Sequence, residues 1–153
     1  MKKLLFLLCI ILFLAFGIGC VRNENPDNVV PDNNVVPGKT PNITEETLTG
    51  SASIIEKYKE IEYAEAYVEN NKLILYLIPI NKDVPKERVR EIGISFLKAL
   101  SGYTVNEGLK GPTDESYGEI YDYYNVEILV EGENGTIIDK GTKSKGKNEI
   151  KWQ

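Results

Sequence analysis

From Asp114 to Asp122 the chain reads Asp114-Glu115-Ser116-Tyr117-Gly118-Glu119-Ile120-Tyr121-Asp122, which gathers four carboxylates and two tyrosines. Two carboxyls at the right separation can act as acid and base on a glycosidic bond, so this stretch has an enzymatic reading. Carboxylates alone can also hold Ca²⁺, but the spacing of a calcium-binding loop is missing. An acidic, solvated loop is the expectation. Histidine is absent from the chain, which removes the commonest general base, proton shuttle and metal ligand together. Ser51, Ser53, Ser95, Ser101, Ser116 and Ser144 therefore lack a histidine partner, and none sits in a nucleophile elbow. Two glycine-lysine stretches imitate phosphate-binding loops and fail. Ahead of Gly38-Lys39-Thr40 the required first glycine is Asn33, and after Gly146-Lys147 the required hydroxyl residue is Asn148. Neither opens a helix. No catalytic set, cofactor or metal is expected.

The other unusual feature is aromatic. Beyond the first twenty residues the chain carries nine tyrosines against one phenylalanine, Phe96, and one tryptophan, Trp152. Tyrosine has a flat apolar body and a polar tip, which suits a surface that is sometimes wet and sometimes covered.

Positioning these side chains falls to a compact region running from Thr44 to Gln153, large enough for one core. Thr44 before Glu45-Glu46 starts a helix, and Leu48, Ala52, Ile55 and Lys59 set its stripe to about Lys59. Ile61 to Glu69 alternates as a strand, Asn70-Asn71 turns, and Lys72 to Ile80 returns. Asp83 caps a second helix with Val89, Ile92, Phe96 and Leu100 on one side, and Gly102 ends it. After a loop over 103–118, a strand runs from about Ile120 to Glu131. Asn134-Gly135 turns into Thr136 to Lys140, and a last strand covers Asn148 to Trp152. The order predicts an α+β fold, a mainly antiparallel sheet with two helices packed on it.

Alternation divides that sheet. Ala64, Ala66, Val68, Leu73, Leu75, Leu77, Val126, Ile128 and Val130 form an apolar core face. Tyr63, Glu65, Tyr67, Ile74, Tyr76, Ile78, Tyr123, Asn125, Glu127 and Leu129 fall on the other, which is neither clean core nor clean surface. Tyr63, Tyr67, Tyr76 and Tyr123 make a candidate docking platform for an envelope protein or glycan. The simpler expectation is that a helix, the 103–118 loop or the carboxy-terminal segment covers it. Lys140, Lys143, Lys145, Lys147 and Lys151 make the carboxy terminus basic, in the pattern that guards an exposed edge strand.

The amino terminus indicates location. Met1-Lys2-Lys3 precedes Leu4 to Phe16, which has no polar side chain, and the run closes with Gly17-Ile18-Gly19-Cys20. This resembles the leader of prokaryotic membrane lipoproteins, in which a small residue precedes a cysteine that is diacylated and becomes the new first residue. Gly17 stands where that motif usually has leucine. The resemblance implies a signal peptide over 1–19 and lipidation of Cys20. Ordinary cleavage after Gly17 and an uncleaved span over 4–21 are the other two readings. All three leave the remainder outside the cytoplasm, because Lys2 and Lys3 favour the inner side.

From Cys20 to Ile43, asparagines and the prolines Pro26, Pro31, Pro37 and Pro41 exclude helix and central strand and read as a tether. Asn42-Ile43-Thr44 and Asn134-Gly135-Thr136 match the N-glycosylation acceptor pattern at Asn42 and Asn134. Without residues 1–19 the chain has 16 basic and 23 acidic residues, a balance that argues against nucleic acid as a partner. The sequence therefore suggests a lipid-anchored envelope protein with a non-enzymatic binding domain. The alternative is a carboxylate-dependent enzyme acting on envelope glycan through the 114–122 stretch.

Overall fold

A computed structural model describes residues 40–132 and 134–153. The leader, Cys20 and most of the tether lie outside the described residues. Thr44 caps helix α1 (Glu45–Ile55), its Oγ1 accepting the Thr47 N–H at 3.2 Å, with Glu45 and Glu46 in the first turn. The Glu107 carboxylate reaches the same end, accepting from Thr47 Oγ1 at 2.6 Å and Thr44 Oγ1 at 2.8 Å. It thereby ties the helix start to the short 3₁₀ helix Thr104–Glu107.

Strands β1 (Ile61–Glu69) and β2 (Lys72–Pro79) form the expected hairpin. Asn70 and Asn71 both take positive φ, 48° and 62°, as a two-residue hairpin turn of matching twist requires. Helix α2 (Lys86–Tyr103) then crosses back, so that β3 (Asn125–Glu131) lies parallel to β2. Parallel neighbours need such a crossover. β4 (Ile137–Lys143) and β5 (Lys151–Trp152) add antiparallel, completing a five-stranded sheet in the order β1-β2-β3-β4-β5. The fold is α+β, mostly antiparallel, with one parallel pair at its centre.

Several boundaries differ from the sequence expectation. α1 stops at Ile55 rather than near Lys59, because the Ile55 carbonyl accepts the Tyr58 N–H in a turn that leads into β1. Asp83 does not cap α2. Its N–H donates to Asn81 Oδ1 at 2.9 Å in an Asx turn, and Pro85 occupies the cap position. Gly102 lies inside α2, and the true stop is Gly108, at φ 86° after the 3₁₀ helix. Residues Glu119–Asp122 form another 3₁₀ helix, so β3 begins at Asn125 instead of Ile120.

Both helices pack on one face of the sheet. Ile55, Ile92, Phe96 and Leu100, all fully buried, join Ala64, Ala66, Leu73, Leu75, Leu77, Val126, Ile128 and Val130 in one core. The alternation placed Val68 on this face too, but it is 41% exposed at the end of the edge strand. Close approaches need glycine. A Cβ at Gly50 would stand 2.6 Å from the Tyr103 ring, where α1 meets α2. One at Gly141 would stand 2.9 Å from the Trp152 ring, which lies on its cross-strand partner.

One buried ion pair locks α2 to β4. Asp139, 3% exposed in its side chain, accepts from Arg90 Nε at 2.7 Å and Nη2 at 3.1 Å, and Lys86 Nζ lies 3.1 Å away. Arg90 also stacks 5.0 Å from the Trp152 ring, fixing the carboxy terminus. Burial pushes the Asp139 carboxyl up, but Arg90 and Lys86 outweigh it and hold the group below its ordinary range. A carboxyl held low in the fold stabilises above its unfolded pKa, and that stabilisation is lost as pH falls through the folded value. Asp139→Asn should therefore cost about 2 kcal/mol at neutral pH, the solvent access of both cations moderating the loss. In urea unfolding the gap to wild type should close below about pH 4. Gly118, at φ 116°, has no room for a side chain, since a Cβ would fall on the buried Ser101 Oγ. Gly118→Ala should cost about 3 kcal/mol in the same measurement.

Candidate functional site

With both helices on one side, the opposite face of the sheet presents three rows fixed by register. Tyr67, Ile74, Glu127, Thr142 and Lys151 make one, and Glu65, Tyr76, Leu129 and Lys140 the next. Tyr63 and Ile78 begin a third. Tyr63 is 41% exposed, while Tyr67, Tyr76, Ile78 and Leu129 are half-buried. Ile74 is 4% exposed yet stands outside the helix-side core, between the neighbours Tyr67 and Glu127. The face is thus a tyrosine-rich plate over a thin apolar layer.

A charge cluster crosses it. Glu127 Oε1 lies 2.6 Å from Lys72 Nζ and 3.1 Å from Lys140 Nζ, bridging three strands. The hydrogen bond from Lys72 leads in holding the Glu127 carboxyl below its ordinary range, with burial opposing and Lys140 assisting. The phenols shift the other way. Burial, then Glu65 and Glu56, pushes Tyr63 up; burial, then Glu69, Glu65 and Glu127, pushes Tyr67 up. Both phenols stand close to carboxylates.

Tyr63, Tyr67 and Tyr76 come together as the alternation required, but Tyr123 does not. It follows the Glu119–Asp122 3₁₀ helix, outside β3, and packs against the helix-side core. Only a strand starting at Ile120 would have carried it to the plate.

The 114–122 stretch is built largely for structure. Glu119 Oε2 accepts the Lys110 N–H at 2.9 Å, and Thr113 Oγ1 accepts from Glu115 and Ser116. Asn148 ties in the loop, donating to the Glu115 carbonyl and accepting the Tyr117 N–H. The Tyr121 hydroxyl donates to the Leu97 carbonyl at 2.7 Å, and its side chain is fully buried.

The lysines divide. Lys145, Lys147 and Lys151 are exposed and Lys140 pairs with Glu127. Lys143, expected to guard the edge, is instead 4% exposed, with Nζ 5.0 Å from the Tyr121 ring centroid. Burial lowers its pKa against the pull of Asp122. Asn42 and Asn134 are both exposed, Asn134 in the β3–β4 turn at φ 76°.

A feature missed in the sequence lies along the sheet edge. A groove of about 550 Å³ runs between α1 and β1, lined by Leu48, Ala52 and Ala66 and by Glu45, Glu56 and Glu65. The acids were visible, but their convergence depends on where α1 docks. Among the described residues, no helix is long and apolar enough to cross a membrane. Comparison with protein-family models, curated proteins and solved structures finds no match.

The coupling of phenols to carboxylates is testable by ¹³C NMR of the tyrosine Cζ signals. Tyr63 and Tyr67 should titrate above the ordinary phenol value of 10.0, and Glu65→Gln should bring Tyr63 down towards it.

Proposed function

We propose that this chain is a lipid-anchored protein on the outer side of the cell membrane, whose domain docks a protein partner through the open tyrosine face. The observation that carries the docking role is the pairing register, which lines up Tyr63, Tyr67 and Tyr76 on the sheet face away from both helices. Tyrosines bury large area at little entropic cost while tolerating water when unbound. The Lys72–Glu127–Lys140 cluster gives such a face polar specificity beside its apolar patches.

Supporting the location is the leader ending at Cys20. The structure holds the end of the stretch read as a tether to the domain, Pro41 by its carbonyl to the Tyr124 hydroxyl and Ile43 in the core. A tether over 20–39 would therefore span on the order of 25 Å as a coil, enough to hold the domain clear of head groups. The acidic domain would be repelled by an anionic surface within about a Debye length of 8–10 Å, which favours a raised position.

Two measurements test the reading. Intact mass of the native protein should give a chain that starts at Cys20 and carries acyl groups; recovery of unacylated Met1 on a soluble chain overturns the anchor. A photo-crosslinking residue placed at Tyr76 should capture a discrete protein in living cells, whereas one at the exposed Lys98 of α2 should not. Equal capture at both positions, or retention on envelope glycan with no protein adduct, overturns the protein-docking role.

A further inference from the structure

β1 is an edge strand, paired only with β2 among the described residues. The two-residue turn makes Glu69 and Lys72 a hydrogen-bonded pair, so Tyr67, Glu65 and Tyr63 also direct their main chain to β2. Ala64, Ala66 and Val68 must then point N–H and C=O outward. One contact bears this out: the Ala64 N–H meets Glu56 Oε1 at 3.4 Å, a long bond to an exposed side chain. The outward row opens onto the groove between α1 and β1, where Ala52, Ala64 and Ala66 leave width beside the strand and Ile43 and Leu48 add apolar surface.

From this we infer that the α1–β1 groove accepts a basic, extended peptide segment of a protein partner, which adds to the sheet as a strand beside β1. Main-chain bonds to Ala66 and Val68 would supply affinity without sequence demand, and the side pockets and charges would supply selection. Charge complementarity fixes the occupant. Glu45, Glu56 and Glu65 line the groove, and no lysine or arginine is among its lining residues. The chain's own residues 21–39 complement it poorly, because Arg22 and Lys39 are outnumbered by Glu24, Asp27 and Asp32. A second β1 edge would bring Glu62, Glu65 and Glu69 against their own kind. The groove shares Tyr63 and Glu65 with the margin of the tyrosine face but not Tyr67 or Tyr76, so a substitution at Tyr76 separates the two readings.

The test uses the full-length chain and an end-blocked peptide of alternating lysine and valine, read by ¹H–¹⁵N NMR and amide exchange. The peptide should shift and protect the Ala66 and Val68 amides, which should exchange fast in its absence. Its glutamate–valine counterpart should bind at least tenfold more weakly. So should a version N-methylated at alternate residues, which keeps the charge but cannot pair as a strand. Glu45→Lys with Glu65→Lys should weaken binding at least tenfold, while Tyr76→Ala leaves it unchanged. Equal binding of the N-methylated or glutamate peptide, or shifts confined to the tyrosine face, overturns the inference. So does protection of Ala66 and Val68 without peptide: dependence on protein concentration would mark a second copy, and independence the chain's own tether.

Discussion

A single layer of two helices can cover only one face of this sheet, and the other features follow from that. Five strands at about 4.8 Å spacing make a sheet roughly 24 Å across, and two helices about 10 Å in diameter nearly match it. The side they take is decided by side-chain size and polarity. Ala64 and Ala66 let helices approach, while the alternating positions carry Tyr63, Glu65, Tyr67 and Tyr76, whose polar tips would be left unpaired beneath a helix. Among the described residues no helix covers a face so composed.

Connectivity then determines where the edges lie. Because α2 is spent on the crossover from β2 to β3, each antiparallel hairpin extends the sheet outward on its own side. β1 and β5 therefore become the two margins, one beside acids and the other beside lysines. The β5 margin is short and closed by Trp152 stacked between Arg90 and Gly141. The β1 margin is long, and α1 stands beside it without sealing it.

Much of this was legible in the sequence. Element order, the Asn70-Asn71 turn and the two sheet faces follow from period-two alternation and turn chemistry, which are local signals. What was not legible depends on distant contacts. Tyr123 shares the parity of β3, yet the 3₁₀ helix before it is held by Glu119 bonding back to Lys110, which no periodicity reveals. Asp83 is a good cap by type, but Asn81 captured its N–H and Pro85 took the position. Lys143 had the composition of a solvated lysine and was buried by the strand register and the Tyr121 ring. The α1–β1 groove has no one-dimensional signature, since its acids come from the two ends of α1 and from β1.

The acids along β1 serve two ends with one physical effect. An exposed edge of unpaired main-chain groups invites indiscriminate pairing, and proteins commonly blunt it with charge. Lysine is the usual guard, and here it stands at the opposite margin. Carboxylates at β1 repel a second acidic edge as effectively as lysines repel a basic one, and they also favour any strand of opposite sign. Discrimination is a difference of affinities, so the repulsion that keeps β1 from pairing with itself sharpens its choice of partner. The Glu56 contact to the Ala64 N–H extends the same logic. A long hydrogen bond to the exposed Glu56 side chain satisfies the donor while the edge is empty, yet gives it up cheaply to a main-chain carbonyl.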